Sequence, residues 1–242
     1  MNDATSASPH FLSSRKRSLF SHVVEDLGLR ILRGDLRPDG PFPKEADLEV
    51  EFRASRSVIR EAVKTLAAKG LLESRPRTGT RVLPPVHWTL LDAQVLGWRY
   101  STAPPAQFFA ELFEVRLMIE PEAAVLAAQR ATDEDLAEIR AAYEAMADAS
   151  RANAPGIEAD VRFHCSILAA AHNPLLLQMG RLIAAGLLIS HRFCSESFEI
   201  FLAMHAAILD EIEAKNADAA RSSTRRLLLE SRDFLNAHLH DE

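Results

Sequence analysis

The sequence predicts a mostly α-helical protein that consists of an N-terminal winged helix-turn-helix and a C-terminal all-α helical bundle. Three observations predict it. Short helical stretches separated by turn residues precede two short extended runs, which is the element order of a winged helix-turn-helix. From about residue 105 to the C-terminus only helical patterns follow. The two parts also differ in charge: residues 15–83 carry 15 Lys and Arg against 10 Asp and Glu, whereas residues 84–242 carry 13 against 23.

These patterns divide the chain into four predicted segments. Residues 1–14, rich in Ser, Asn and Ala, are expected to be a disordered arm. The winged helix-turn-helix spans residues 15–83, a linker and docking helix spans 84–104, and a helical ligand-binding domain spans 105–242. The chain has no apolar run of membrane-spanning length and no signal-peptide core, and its two cysteines fit a reducing compartment. We therefore expect a cytoplasmic protein without a membrane partner.

The charge contrast indicates which part of the chain meets a polyanion. The net charge is −6 overall, but it is +5 over residues 15–83 and −10 over residues 84–242. A small basic part joined to a large acidic part is typical of a protein in which only the first part binds nucleic acid. An acidic chain argues against a nonspecific nucleic-acid packaging protein and leaves a sequence-specific regulator open.

The helix-turn-helix is predicted from three helical stretches in order. Residues 18–33 form an amphipathic pattern that ends at Gly34, with a stripe of Leu19, Val23, Leu27 and Ile31. Turn-forming residues follow, and then a short helix over residues 44–52. Residues 53 and 54 make a tight connection into the next helix. Two short helices joined in this way are typical of a helix-turn-helix.

The second helix of this pair, over residues 55–69, is the predicted recognition helix. Ser55 is its expected N-cap, Gly70 its expected left-handed end, and its apolar stripe is Val58, Ala62, Val63 and Leu66. Arg56, Ser57 and Arg60 crowd the N-terminal end away from that stripe. This pattern is typical of a helix that enters a DNA major groove. A surface helix with a solvated basic face is the alternative.

Two extended runs after Gly70 predict a β-hairpin. Residues 71–74 and 81–83 flank a tip with Pro, Gly and the basic residues Arg75 and Arg77. Such a hairpin, appended to a helix-turn-helix, is a wing whose tip reaches the DNA backbone or minor groove. An ordinary exposed hairpin remains the alternative, but its position directly after the predicted recognition helix favours DNA binding.

The remainder of the chain is predicted to be helical. A short helix is expected over residues 88–100, with Leu91, Val95, Leu96 and Trp98 as its apolar residues. Six longer helices are expected over residues 105–130, 133–151, 155–171, 174–193, 197–215 and 217–239. Their starts are marked by Thr132, Asn173 and Ser195 or Ser197, and stops by His172 and Lys215, each followed by an asparagine.

Three side chains in this helical part are candidates for metal binding. Asp160 and His164 have i,i+4 spacing, so they share one helical face and can bind one divalent ion. A surface ion pair is the alternative. His205 lies among apolar residues of a later helix, a setting more typical of a core histidine. Arg116 lies mid-helix among apolar residues and needs a partner, which is either a ligand carboxylate or a glutamate, Glu114 or Glu120.

The N-terminal motifs resemble those of the GntR family of bacterial transcription regulators. The resemblance rests on LRPDG at residues 36–40, FPKEADL at 42–48, SRSVIREA at 55–62 and GLL at 70–72. It implies that double-stranded operator DNA is contacted by Ser55, Arg56, Ser57 and Arg60 from the recognition helix, and by Arg77, Thr78 and Gly79 from the wing tip. The family often has an arginine where this chain has Ala46, and Lys44 is expected to supply that contact instead.

The helical part resembles the FCD effector domain of the FadR-type subfamily. The resemblance rests on EVRLMIEP at residues 114–121, on residues 160–164 with Asn173, and on His205 with Ile208 and Leu209. In many members of that subfamily an Asp and three histidines hold a metal inside the bundle. Asp160, His164 and His205 fit three of these positions, whereas the fourth is Leu227. The resemblance therefore implies a divalent metal, zinc or similar, with three protein ligands, and an effector-binding role for Arg116.

A metal beside an arginine predicts an anionic, oxygen-rich effector. In two features the chain resembles galactonate-type regulators of sugar-acid catabolism: the sequence of residues 88–98 and the missing fourth ligand. The expected function is a homodimeric repressor whose helical domain binds a small organic acid and modulates binding to a palindromic operator. One alternative is a regulator for which the metal ion itself is the effector. A metal-dependent enzyme is the other, although the chain lacks HExxH, GxSxG and phosphate-binding glycine motifs.

Overall fold

The computed structural model describes residues 18–38, 40–75, 79–102, 105–152, 154–190 and 198–238. The chain divides into two compact units, Met1–Thr89 and Leu90–Glu242. Within the described residues there are ten α-helices and one two-stranded antiparallel sheet. The predicted fold class is thereby confirmed. The predicted arm over residues 1–14 and the wing-tip residues Arg77 and Thr78 lie outside the described ranges.

Helix α1 (Leu19–Arg33) packs against α3, the third helix of the first unit. Its N-cap is Ser18, whose Oγ accepts a hydrogen bond from the backbone N–H of Ser21 at 3.2 Å. The helix ends at Gly34, which has a φ of 83°. Its buried side chains, which pack against α3, include Val23, Val24, Leu27 and Ile31. Leu19, predicted for this stripe, is 43% exposed because burial of α1 begins one turn later.

Helices α2 (Glu45–Phe52) and α3 (Arg56–Ala68) form the helix-turn-helix. Arg53, in the left-handed conformation with φ of 50°, makes the tight connection. Ser55 is the N-cap of α3, but its hydroxyl is hydrogen-bonded to that of Ser57 at 2.9 Å rather than to a backbone N–H. The buried face of α3 consists of Ile59, Ala62, Val63 and Leu66. Val58 is only half-buried, since Ile59 has the i, i+3, i+4, i+7 spacing that aligns with the other three residues.

The predicted wing is present as a hairpin. Strands β1 (Leu72–Arg75) and β2 (Gly79–Val82) are antiparallel, with Leu72 opposite Val82. These two side chains are buried, whereas Arg81 and Glu73 form an outer ion pair at 2.7 Å. Because successive side chains of a strand point to opposite faces, one face of the hairpin packs on the core of the first unit and the other faces solvent.

The chain that leaves the wing folds back onto the end of α3. The N–H of Thr89 donates to the carbonyl of Lys69 at 2.9 Å, and the indole N–H of Trp88 donates to the carbonyl of Leu83 at 2.8 Å. Between them residues Pro85–His87 form a 3₁₀ turn. Residues 83–89 thus form a strap across the C-terminal end of α3.

The helix predicted over residues 88–100 starts later and ends later than expected. Helix α4 spans Ala93–Thr102. It starts there because Asp92 Oδ1 accepts hydrogen bonds from the backbone N–H groups of Gln94 and Val95 at 3.0 and 3.1 Å. Leu91, predicted to be apolar core, lies before this cap and is 56% exposed.

Six helices complete the second unit and confirm the six predicted long helices. They are α5 (Pro105–Arg130), α6 (Asp133–Arg151), α7 (Ile157–Ala170), α8 (Pro174–Ser190), α9 (Phe198–Glu213) and α10 (Ala217–His238). Thr132 and Asp135 form a capping box at the start of α6, while His172 and Lys215 adopt positive φ after α7 and α9. Helix α10 packs along α5 and α9, and α7 packs against α5, α6 and α8.

None of the helices in the described part of the chain is both long enough and apolar enough to cross a membrane.

Candidate functional site

The N-terminal end of α3 presents a polar, basic surface. Ser55, Arg56, Ser57 and Arg60 are all exposed, while the opposite face of the helix is buried. The side chain of Arg56 is 72% exposed, and its Nε lies 3.5 Å from a carboxylate oxygen of Glu45. Both arginine side chains are therefore accessible to a ligand in solvent.

The other described residues predicted to contact DNA are exposed as well. Lys44 is the N-cap of α2, and Gly79 begins β2. Ala46, where the family often has arginine, is also exposed on α2. Lys44 is thus available on the same short helix to contact a phosphate. The role of these residues in DNA contact stays a prediction.

The structure brings Asp160, His164 and His205 together inside the second unit. All three are buried, and their ligand atoms lie within 4.8 Å of one another. Nε2 of His205 lies 3.1 Å, and Nε2 of His164 3.5 Å, from the same Oδ1 of Asp160. Nitrogen and oxygen ligands each about 2.1 Å from one ion are separated by about 3.0–3.5 Å, so the three side chains fit one side of a metal coordination shell.

His205 is held in the orientation that a metal ligand requires. Its Nδ1 lies 2.8 Å from the carbonyl oxygen of Phe201, which can only accept, so Nδ1 carries a proton and donates it. Its Nε2 is buried and lies 3.1 Å from Oδ1 of Asp160. A histidine held through Nδ1 by a carbonyl, with Nε2 directed at a second ligand, is the usual arrangement in metal sites, so the donor set fits a metal ion.

Glu120 belongs to the same cluster, although the sequence indicated it only as one of two partners for Arg116. Its side chain on α5 is buried, with Oε1 accepting from Nε of Arg116 at 2.6 Å and Oε2 lying 2.6 Å from Nδ1 of His164. The i,i+4 spacing of Arg116 and Glu120 was a visible signal for the first contact. No sequence signal connects Glu120 with His164, which lies on α7.

Burial and charge act in opposite directions on Glu120 and His164. Burial alone would raise the pKa of Glu120, but the charges of Arg116 and His164 and their hydrogen bonds lower it to about 2. Burial would lower the pKa of His164, yet Glu120 and Asp160 raise it to about 9. Without a metal, His164 is therefore a buried cation at neutral pH.

Arg116 is buried in the same region. Its guanidinium stacks over the ring of Phe113 at 5.2 Å, and its side chain is 3% exposed. Within the described residues its only hydrogen bond is the one from Nε to Glu120, so the terminal nitrogens retain unused donors. A buried guanidinium of this kind is suited to a carboxylate ligand. The effector-binding role of Arg116 stays a prediction.

Helix α10 provides apolar and hydroxyl groups near the cluster. Leu227 is 1% exposed and belongs to the same buried core as Phe163 and Ile208. Thr224, one turn earlier, lines a small cavity together with His164 and Glu120, and its hydroxyl donates to the carbonyl of Ala220 at 2.8 Å. At the position of the expected fourth ligand the chain thus has a packed leucine.

A winged helix-turn-helix joined to an all-helical unit is the architecture of a two-domain transcription regulator. Residues 19–82 match the family model described as bacterial regulatory proteins of the gntR family, and residues 111–230 match the FCD domain. The chain therefore belongs to the GntR family and carries an FCD domain, as its motifs indicated.

Individual relatives support this assignment over most of their length. The galactonate operon transcriptional repressor of Escherichia coli K12 is 35% identical over 217 residues, which cover 85% of this chain and 95% of the relative. The uncharacterized HTH-type transcriptional regulator YieP of the same strain is 34% identical over 216 residues, covering 88% and 94%. Among solved structures, that of Lar, which controls expression of the Listeria monocytogenes agr system, aligns with a TM-score of 0.64 at 22% identity. The alignment covers 92% of this chain and 99% of Lar. That likeness shows the fold alone.

Proposed function

We propose that this protein is a ligand-responsive, DNA-binding repressor that acts as a homodimer in the cytoplasm. Its relatives include the galactonate operon repressor and repressors named NanR, and these names support repression. The exposed basic end of α3 beside a wing supports DNA binding. A twofold dimer would place two recognition helices on a palindromic operator, because the symmetry of the protein is mirrored in the half-sites.

Operator binding is assigned to two groups of residues. Arg60 and Arg56 would reach base edges or phosphates from the first turns of α3, aided by the hydroxyls of Ser55 and Ser57. Lys44 from α2 and the wing-tip residues Arg77, Thr78 and Gly79 would hold the DNA backbone or minor groove. The described residues of both groups are exposed and belong to the first unit, which supports this assignment.

Effector binding is assigned to the buried cluster of the helical unit. Asp160, His164 and His205 would hold a divalent metal such as zinc, with an open position for a ligand oxygen. When bound, the ion supplies a Lewis-acidic centre for a carboxylate. Arg116 would bind the same anion through its unused guanidinium donors. The observation that carries this proposal is the convergence of Asp160, His164 and His205, whose ligand atoms lie within 4.8 Å of one another.

The effector class that we propose is a sugar acid. The name of the galactonate operon repressor supports it, as does a site that combines a metal with an arginine. A small cavity lies beside His164 and Glu120, and an acid that enters this region would favour a rearranged state of the surrounding helices. A ligand that binds the rearranged state shifts the population of conformations and can thereby change operator affinity.

The proposal is tested by measuring operator binding of the full-length protein with sugar acids, with zinc and with a chelator. We expect a sugar acid to weaken operator binding in the presence of zinc, and the chelator to suppress this response. His164→Ala should remove both zinc uptake and the response. His172→Ala is the matched control, because that exposed histidine pairs with Asp135 outside the cluster. If no small carboxylate changes operator affinity, the sensor proposal fails.

The metal ion itself is the second candidate effector. Three buried ligands can bind an ion without any organic acid, and this observation favours the alternative. Zinc titrated alone into the protein–operator complex separates the two: a change in operator affinity at stoichiometric zinc, unaltered by added acids, would identify a metal-responsive regulator. Consumption of an added acid during the assay would instead indicate a metal-dependent enzyme.

A further inference from the structure

The buried carboxylate of Glu120 lies between the side chains of Arg116 and His164 in the helical unit. Oε1 accepts a hydrogen bond from Nε of Arg116, and Oε2 contacts Nδ1 of His164, each at 2.6 Å. The side chain of Glu120 is 4% exposed. Oε1 is thus hydrogen-bonded to Arg116, whereas buried Oε2 has its close contact with the ring nitrogen of His164.

The contact with Nδ1 determines where the other nitrogen of His164 points. An imidazole can rotate about two side-chain bonds, and an acceptor on Nδ1 fixes both rotations. With Nδ1 held by Glu120, Nε2 of His164 faces Asp160. His205 shows the same arrangement, with the carbonyl of Phe201 as its acceptor. Both imidazoles are thus anchored through Nδ1 and meet at Asp160 through Nε2.

The two anchors differ in chemistry. A backbone carbonyl is fixed by the helix of which it is part, whereas the Glu120 carboxylate is itself held by the guanidinium of Arg116. Carboxylates that accept from a ligating histidine also increase the basicity of the ligand nitrogen. The orientation of His164 consequently depends on Arg116, the side chain for which effector binding is proposed.

We propose that Glu120 is the positioning residue of this cluster, which orients His164 for metal binding and joins it to Arg116. The inference rests on the proposed metal-binding function. An anion bound by the terminal nitrogens of Arg116 would act on the residue that fixes Glu120. The positions of the metal ligand and of the anion-binding group are then coupled through one carboxylate.

The test compares Glu120→Gln with wild type in the full-length protein. Gln keeps the size of the side chain and removes its charge. Glu122→Gln is the matched control, because Glu122 lies two residues further along α5 and forms an exposed pair with Arg221 at 2.7 Å. Zinc affinity is measured by competition with a chromogenic chelator. In the metal-free protein, the proton on Nδ1 of His164 is observed by NMR, since a 2.6 Å contact shifts such a proton far downfield.

We expect Glu120→Gln to weaken zinc binding by roughly 10–100-fold and to remove the downfield resonance, while Glu122→Gln changes neither. Retention of the resonance together with wild-type zinc affinity in Glu120→Gln would overturn the inference. If wild-type protein binds no zinc but shows a resonance that Glu120→Gln removes, the metal proposal fails and the positioning of His164 by Glu120 stands.

Glu120→Asp provides a second variant in case Glu120→Gln does not fold. It keeps the buried charge beside Arg116 and withdraws the carboxylate by one methylene. The longer contact should move the His164 resonance upfield and weaken zinc binding less than the Gln variant does. An unchanged resonance and an unchanged zinc affinity would show that the length of the side chain at position 120 does not affect the position of His164.

Discussion

Nε2 of His205 lies 3.1 Å from Oδ1 of Asp160, and the two side chains belong to different helices, α9 and α7. The ring of Phe163 packs between these helices, 5.2 Å from the ring of His205. Because Nδ1 of His205 donates to the carbonyl oxygen of Phe201, Nε2 is the nitrogen directed at Asp160. The packing of the two helices thus brings an imidazole nitrogen and a carboxylate oxygen together at the candidate metal site.

Metal binding should release a proton near neutral pH. The pKa of His164 is raised to about 9, so its Nε2 must lose a proton before it can ligate. Calorimetric titration with zinc at pH 7, in buffers of different ionisation enthalpy, should show a proton released and an apparent affinity that rises towards pH 9. A binding enthalpy that is independent of the buffer would contradict this prediction.

The same raised pKa predicts how metal-free stability depends on pH. A folded-state pKa of about 9 against about 6.5 in the unfolded chain means that His164 stabilises the fold fully below pH 6.5. This contribution is lost as the pH rises through about 9. Urea unfolding of the chelator-treated protein should show the decline between pH 7 and 9, and His164→Ala should lack it.

Replacing Leu227 should strengthen metal binding. Leu227→His places an imidazole in the buried core that also contains Phe163, whose ring contacts both His164 and His205. We expect a lower Tm without metal and a larger zinc-induced increase in Tm than in wild type. Leu228→His is the control, because Leu228 is equally buried but lies about 100° further round α10. Equal zinc-induced increases in Tm in all three proteins would show that a side chain at position 227 does not ligate the metal.

Arg60→Ala should weaken specific operator binding. If Arg60 reads a guanine edge, the loss is about 1–3 kcal/mol, and binding to random DNA changes less. Lys64→Ala is the control, since Lys64 lies one turn later on α3 and pairs with Glu61 at 2.7 Å. Fluorescence anisotropy with operator and random duplexes measures both affinities. Equal losses of affinity for the two duplexes would show that Arg60 contacts only phosphates.

Gly70→Ala should destabilise the first unit more than Gly34→Ala does. Both glycines have positive φ, 73° and 83°, so each substitution costs about 1–2 kcal/mol in backbone strain. At Gly70 the new Cβ would also lie 2.1 Å from the carbonyl oxygen of His87, whereas nothing lies within 4 Å at Gly34. Chemical unfolding should therefore rank Gly70→Ala as the less stable variant. Equal stabilities would show that the strap over α3 moves away without cost.

Patterns of local spacing predicted most of the fold. The bounds of α5 and α6 agree with the prediction residue for residue, because Thr132 and the apolar periodicity are signals within one helix. Two of the wrong predictions concern contacts between segments. Ile59 rather than Val58 faces the core, and Trp88 donates a hydrogen bond to Leu83 instead of continuing a helix. These depend on contacts between segments, which local spacing does not contain.

The sequence by itself determined the family, the two-part architecture and the pairing of Asp160 with His164, since helical periodicity places i and i+4 on one face. The family resemblance predicted that His205 joins them, and the tertiary structure confirms that the three lie together. Only the tertiary structure showed that Glu120 lies against both Arg116 and His164. Those contacts connect α5, α7 and α9, and their distances follow from how the apolar faces of the helices pack. The free energy of burying those faces forces the charged groups into one small volume, where they must satisfy one another.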